Sequence, residues 1–289
     1  MRIFVTSLCT IMVTIFIMEV PAISANQSAW QDHQGMISTR ILVASPDIAQ
    51  LFPTRVSNGE DTVLLAWEAK LTDGWKTYWR SPGEAGLPVR LFANDNQIEL
   101  LYPFPERFEL FGLETYGYSK QVVIPFQVKA SDVAGSLDLK ADFMVCKDIC
   151  VPFEASYNLA VDIENAGDIT SDIRVQSWLA KVPEVGDAAP GGLVIDSVRL
   201  AGTPGHQNLI VDATAAAPLT KADVLAEANE SMQFRSPKVR LRRDGRSARF
   251  VLPVVSAQSN YDLSQGKVRV TLTDGRGNAI DRFFDLSGR

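Results

Sequence analysis

The sequence predicts an all-β protein built from two immunoglobulin-like antiparallel β-sandwich domains joined by a short helix and linker. Three observations carry this prediction. Short segments with period-two apolar alternation, punctuated by Gly, Pro, Asn and Asp, recur along the chain. Once an N-terminal leader is set aside, about 264 residues remain, more than a single β domain usually holds. A Gly- and Ala-rich stretch at 186–192 then divides the pattern into two halves.

The leader is residues 1–25. Ile3 to Met18 is an apolar run interrupted only by Thr and Ser, preceded by Met1-Arg2 and followed by Pro21-Ala22-Ile23-Ser24-Ala25. That pattern reads as a secretory signal peptide cleaved after Ala25; the alternative, an uncleaved anchor, would be short for a membrane span. Cys9 leaves with the leader, and no later run approaches the ~20 apolar residues of a transmembrane helix. The expected mature chain is exported, has no membrane span, and works where disulfides persist. It carries 27 bases and 33 acids, a net charge of −6 with no footprint for nucleic acid or an anionic membrane.

The first domain is expected over 26–165. Asp61 to Leu71 places Val63, Leu65, Trp67, Ala69 and Leu71 on one face, and Asp73-Gly74 turns the chain into a strand from Trp75 to Trp79. Pro82, Gly83, Gly86, Pro88, Pro103 and Pro105 then predict long ordered loops, with short strands at Val89–Phe92 and Ile98–Tyr102. Further strands are expected at 121–128, 136–146 and 151–163, a succession typical of a sandwich. Between domains, 166–192 holds a short helix capped by Thr170 or Ser171 and stopped by Pro183, then the linker. The second sandwich, 193–289, offers strands at 193–200, 208–214, 224–234, 238–243, 246–254 and 267–273. It has no cysteine, His206 is its one histidine, and it reads as a structural or docking module.

Cys146 and Cys150 are the only thiols outside the leader. Leu137, Leu139, Ala141, Phe143 and Val145 alternate with a polar series that includes Met144 and Cys146. On the returning strand Phe153, Ala155, Tyr157, Leu159, Val161 and Ile163 share one parity and Cys150 the other. Both thiols therefore project from the non-core face, across a turn of Lys147, Asp148 and Ile149, and neither is expected to be a core residue. Two cysteines in an exported protein commonly form an inert staple. Against that, closing so short a ring removes only about 2 kcal/mol of unfolded-state entropy. Opposed strand residues also keep Cβ atoms about 4.5–5.5 Å apart, where a relaxed disulfide wants about 3.8 Å, so the bond is expected to reduce easily. A labile exposed pair points to thiol-disulfide exchange.

Four ordered motifs add a resemblance. Gly74-Trp75-Lys76-Thr77-Tyr78-Trp79-Arg80-Ser81-Pro82-Gly83-Glu84-Ala85-Gly86-Leu87-Pro88, Tyr102-Pro103-Phe104-Pro105, Tyr116-Gly117-Tyr118, and Val145-Cys146 through Cys150-Val151-Pro152 resemble the N-terminal periplasmic region of the DsbD/ScsB thiol:disulfide interchange proteins, nearer the ScsB branch. The resemblance covers roughly residues 35–165 and extends more weakly to the second sandwich. It implies a periplasmic domain whose cysteine pair relays electrons from a membrane-embedded thiol reductase to a thioredoxin-fold or disulfide-isomerase-like client, with no organic cofactor. It implies that Cys150 attacks and Cys146 resolves, and that Tyr116 and Tyr118 shield the pair as a cap. Full-length family members also carry a membrane domain and a thioredoxin-like domain; neither is expected within residues 26–289, so the electron donor is expected to be a separate protein. The family pair is also spaced more widely than this one.

Other residues receive plainer readings. Trp75, Tyr78 and Trp79 are expected as sheet packing. Glu84 and Glu106 are solvated loop carboxylates unless one of them takes a proton from the attacking thiol, and His33 in the N-terminal segment is assigned nothing. Two other functions compete with the relay. Met144, Cys146 and Cys150 supply a thioether and two thiolates, soft ligands that select Cu(I), in a copper-binding protein. The other is a structural adaptor with an inert disulfide.

Overall fold

The computed structural model describes residues 26–56, 62–133, 136–163, 165–229, 232–256 and 260–287. The expected signal peptide lies outside the described residues. No described helix is long and apolar enough to cross a membrane.

Two antiparallel sheets face each other in the first domain, as the alternation predicts. One has the order β1 (Gln31–His33), β2 (Ile37–Val43), β3 (Thr62–Leu71) and β9 (Gln121–Lys129). The other contains β4 (Lys76–Gly83), β5 (Arg90–Ala93), β6 (Asn96–Ile98), β7 (Glu106–Leu110), β8 (Leu113–Ser119), β10 (Leu137–Cys146) and β11 (Cys150–Leu159). Its path runs β6-β5-β10-β4-β8-β7, with β11 on β10. The inward faces meet in one apolar core: Val63, Leu65, Trp67, Ala69 and Leu71 pack with Leu137, Leu139, Ala141, Phe143 and Val145. Tyr157 crosses that core, its hydroxyl 2.6 Å from Thr39 Oγ1 and accepting from Trp67 Nε1 at 3.1 Å.

The back of the first sheet is covered as well, which periodicity at β3 did not suggest. Leu64 and Ala66 on its other parity pack with Leu42, Val123, Val175 and Leu179, the last two from helix α2 (Ile169–Leu179). A short helix, α1 (Pro46–Gln50), adds Ile48. Thus the helix expected only as a connection forms a third layer. Its N-cap is Asp168, two and three residues before the expected Thr170 and Ser171, because this carboxylate reaches their amides at 2.9 and 3.1 Å. Glu68, buried beneath α2, is held by Arg40 and Arg174.

A separate core organises the second half. One sheet has the order β12 (Glu184–Val185), β20 (Ala279–Asp285), β19 (Lys267–Thr273) and β15 (Asp223–Glu227). Opposite it lie β13 (Val194–Ala201), β14 (Asn208–Thr214), β18 (Ser247–Ser256), β16 (Met232–Phe234) and β17 (Lys238–Leu241), with β16 and β17 both on β18. The single strand expected over 224–234 is two strands in different sheets. Leu225, from β15, packs into the first core rather than the second.

Candidate functional site

The site is built at the β10–β11 turn. The two strands pair directly, with Cys146 opposite Cys150, Val145 opposite Val151 and Met144 opposite Pro152. Cys146 and Cys150 form a disulfide, their Cα atoms 4.2 Å apart, and the turn closes with the Lys147 amide donating to the Ile149 carbonyl at 3.1 Å. On its other edge Cys146 pairs with Lys76 of β4.

The two cysteines have opposite environments. Cys150 is exposed, whereas Cys146 is wholly buried at 0%. Parity holds, since Cys146 is absent from the main core; the expectation that neither thiol is buried fails for Cys146. It joins a small separate cluster with Tyr78 and Leu110, against which Met144 packs. The cluster draws Tyr78 from β4 and Leu110 from the β7–β8 hairpin, an element the Pro- and Gly-broken sequence concealed.

Tyr78 is the residue that sequence reasoning missed. Alternation on β4 sends Trp79 into the main core and Tyr78 to the disulfide side. Its hydroxyl lies 3.8 Å from Cys150 Sγ, and burial pushes its pKa up to about 12. Two glycines make room for it. Gly86, at φ +109°, lies flat against the ring, where a Cβ would collide, and Gly117, paired opposite Tyr78, sits so close to the Thr77 carbonyl that it excludes one too. These are glycines of the motifs singled out above, so the signal was present as a demand for close backbone approach.

The expected cap residues occupy the hairpin but face away from the pair. Arg107, Glu109, Glu114 and Tyr116 share one face of β7–β8, and Phe108, Leu110, Thr115 and Gly117 the other. Tyr116 and Tyr118 consequently pack in the main core, with hydroxyls donating to the Phe234 and Pro103 carbonyls at 3.1 and 2.8 Å. Shielding instead falls to Leu110 and Tyr78, with Phe108 beside them: the Phe108 ring centroid is 6.4 Å from that of Tyr78, and the Lys76 ammonium lies over it at 4.2 Å. Glu84 and Glu106 are not at the thiols. Glu84 accepts from the Glu114 amide at 2.8 Å and Glu106 from Ser119 Oγ at 2.6 Å. His33 is not idle: it stacks edge-on to Phe143 at 5.2 Å and bonds Thr39 Oγ1 at 2.8 Å, and burial lowers its pKa. Met144, Cys146 and Cys150, the copper alternative's donors, do lie together on one face.

Comparison with known proteins bears on the fold. Residues 43–162 match the family described as thiol:disulfide interchange protein DsbD, N-terminal, and 181–280 match a domain of unknown function, DUF8393. The crystal structure of the N-terminal periplasmic domain of ScsB from Proteus mirabilis is similar at 20% identity and a TM-score of 0.71, covering 91% of this chain and 99% of that one. The reduced DsbD N-terminal domain of Neisseria meningitidis aligns over 44% of this chain and 85% of its own, at 14% identity and a TM-score of 0.26. No curated protein matches by sequence. The first domain is thus similar to DsbD-type N-terminal domains over residues 43–162, and the Cys146–Cys150 disulfide lies within that match.

Proposed function

We propose that this protein is a periplasmic electron relay, passing reducing equivalents from a membrane-embedded thiol reductase to a thioredoxin-fold or disulfide-isomerase-like client through Cys146 and Cys150. The observation that carries the reading is the asymmetry of the pair: one cysteine exposed, the other buried. In the reduced protein the Cys150 thiolate attacks a client disulfide and expels one client thiolate, forming a mixed disulfide. Cys146 then attacks Cys150 Sγ, the second client thiolate leaves, and the Cys146–Cys150 bond reforms. Two electrons reach the client. A donor dithiol restores the pair by the same steps in reverse, so the disulfide itself carries the electrons and no organic cofactor is needed.

The test is trapping in the periplasm. Cys146→Ala leaves an attacker without a resolver and should accumulate mixed disulfides at Cys150, whereas Cys150→Ala should not. Equal trapping by both variants would overturn the assignment of roles, and trapping by neither would favour an inert staple. A second reading, Cu(I) binding, draws on the packing of Met144 against the Cys146 cluster. Titrating the reduced protein with Cu(I) against a competing chelator separates it: a one-to-one complex lost in Met144→Leu supports that reading.

A further inference from the structure

The β7–β8 hairpin has a side for each domain. One face carries Phe108 and Leu110 to the Cys146 cluster. The other is bonded to the second domain along its length. Arg107 donates to both oxygens of Asp223 at 3.0 and 3.1 Å and to the Val224 carbonyl at 3.1 Å. Glu114 accepts from the Ser236 hydroxyl at 2.6 Å and from its amide at 3.2 Å, and Tyr116 donates to the Phe234 carbonyl. Within the hairpin, Arg107 and Tyr116 both bond Glu114, joining these contacts into one network. A cleft of about 340 Å3, lined by Glu109, Glu114, Arg235 and Ser236 among others, runs along the same seam. Discrete polar bonds therefore contribute much of the grip there. At the tip, Phe111 and Gly112 form a two-residue turn with φ 55° and 78°, and Phe111 is 65% exposed, so the end of the hairpin has little packing of its own.

We propose that the second domain is a latch: Asp223 and Ser236 are positioning residues that hold the hairpin closed over the Cys146 cluster and confine thiol chemistry to Cys150. This gives the thiol-free domain a part in the exchange reaction. It rests on the reading of Cys146 and Cys150 as a reactive pair, but not on which partners they serve. A closed hairpin leaves a reagent one sulfur to reach; release of the hairpin exposes the second in proportion to the open fraction.

The test uses the full chain, reduced, and counts iodoacetamide alkylation at Cys146 and Cys150 separately by peptide mass, alongside amide hydrogen exchange of residues 106–119. Asp223→Asn, alone and with Ser236→Ala, should raise the rate at Cys146 on the order of tenfold, leave the rate at Cys150 unchanged, and speed exchange in the hairpin. Asp223→Glu, which keeps a carboxylate for Arg107, should retain most of the protection, a distinction that a general loosening of the fold would not make. Arg249→Ala, which breaks an exposed pair with Asp212 elsewhere in the second domain, should change neither rate. An unchanged ratio of Cys146 to Cys150 labelling in the double variant would overturn the latch while leaving the relay standing. A Cys150 that fails to react even in the wild type would instead sink the relay.

Discussion

Tyr78 joins packing and chemistry at one position. Its ring is buried against Gly86, and its hydroxyl, held neutral by a pKa of about 12, faces Cys150 Sγ as a donor at any physiological pH. Tyr78→Phe keeps the ring and removes only that donor, so stability should change by about 1 kcal/mol or less. The Cys150 thiolate loses a hydrogen bond, which should slow exchange at pH 7 roughly twofold. The pH dependence of Cys150 alkylation in the reduced protein measures this, and an unshifted curve would remove Tyr78 from the chemistry. The sequence showed that residues 78 and 79 point to opposite faces. It did not show that the face away from the core was roofed, because the roof is supplied by a hairpin some 30 residues downstream.

At the scale of elements, the cysteine hairpin was legible and its cover was not. Strict alternation from Leu137 to Val145 fixed which face of β10 meets the core, and a four-residue separation fixed a tight turn. For β7 and β8 the signal was hidden: Pro103 and Pro105 precede them, Gly112 and Gly117 interrupt them, and their two faces serve different neighbours, leaving no clean apolar stripe. The cover also changes what cysteine variants should cost. Reduction of the ring alone should lower stability by no more than about 2 kcal/mol, whereas Cys146→Ser also buries a hydroxyl in an apolar cluster and should lose about 1–3 kcal/mol more. Denaturant melts of the oxidised, reduced and Cys146→Ser proteins test the order, and equal losses would show that the cluster admits water. Helix α2 allows a similar test. Asp168→Ala removes the cap and should cost about 1 kcal/mol. Burial alone would raise the Asp168 pKa, but hydrogen bonds from Ser171 and Thr170 outweigh it and hold it low. A carboxylate depressed in the folded state stabilises above its unfolded pKa, so the difference between wild type and variant should be full at neutral pH and vanish as pH falls through the depressed value.

For the whole molecule, net charge misled where local charge informs. Residues 26–165 hold 19 acids and 11 bases, while 193–289 hold 10 acids and 14 bases, so the −6 overall conceals two domains of opposite sign. The closer ion pairs of their interface reverse those signs, the acidic domain contributing Arg80 and Arg107 and the basic one Asp223, Glu227 and Asp281, while Arg235 and Glu84 pair in the other sense at 3.9 Å. Arg80 is the deepest of these links, its side chain 13% exposed, bonded to Glu227 at 2.6 Å and to Thr271 Oγ1 at 2.7 Å and lying 3.3 Å from Asp281. Together with Leu225 in the first core, it ties the stability of each domain to the other. Arg80→Ala takes the ion pair from the partly buried Glu227, while Asp281 keeps Arg269, and should cost about 2 kcal/mol of coupling. The sequence provides the readout, because all five tryptophans lie between Trp30 and Trp178 and none in 193–289. Tryptophan fluorescence therefore follows the first domain alone, while far-UV circular dichroism follows both sandwiches. In the wild type the two denaturation curves should coincide as one cooperative transition; in Arg80→Ala they should separate, with the midpoints moving apart. Coincident curves with an unmoved midpoint in the variant would mean that the two cores are coupled through apolar contact and not through the arginine network.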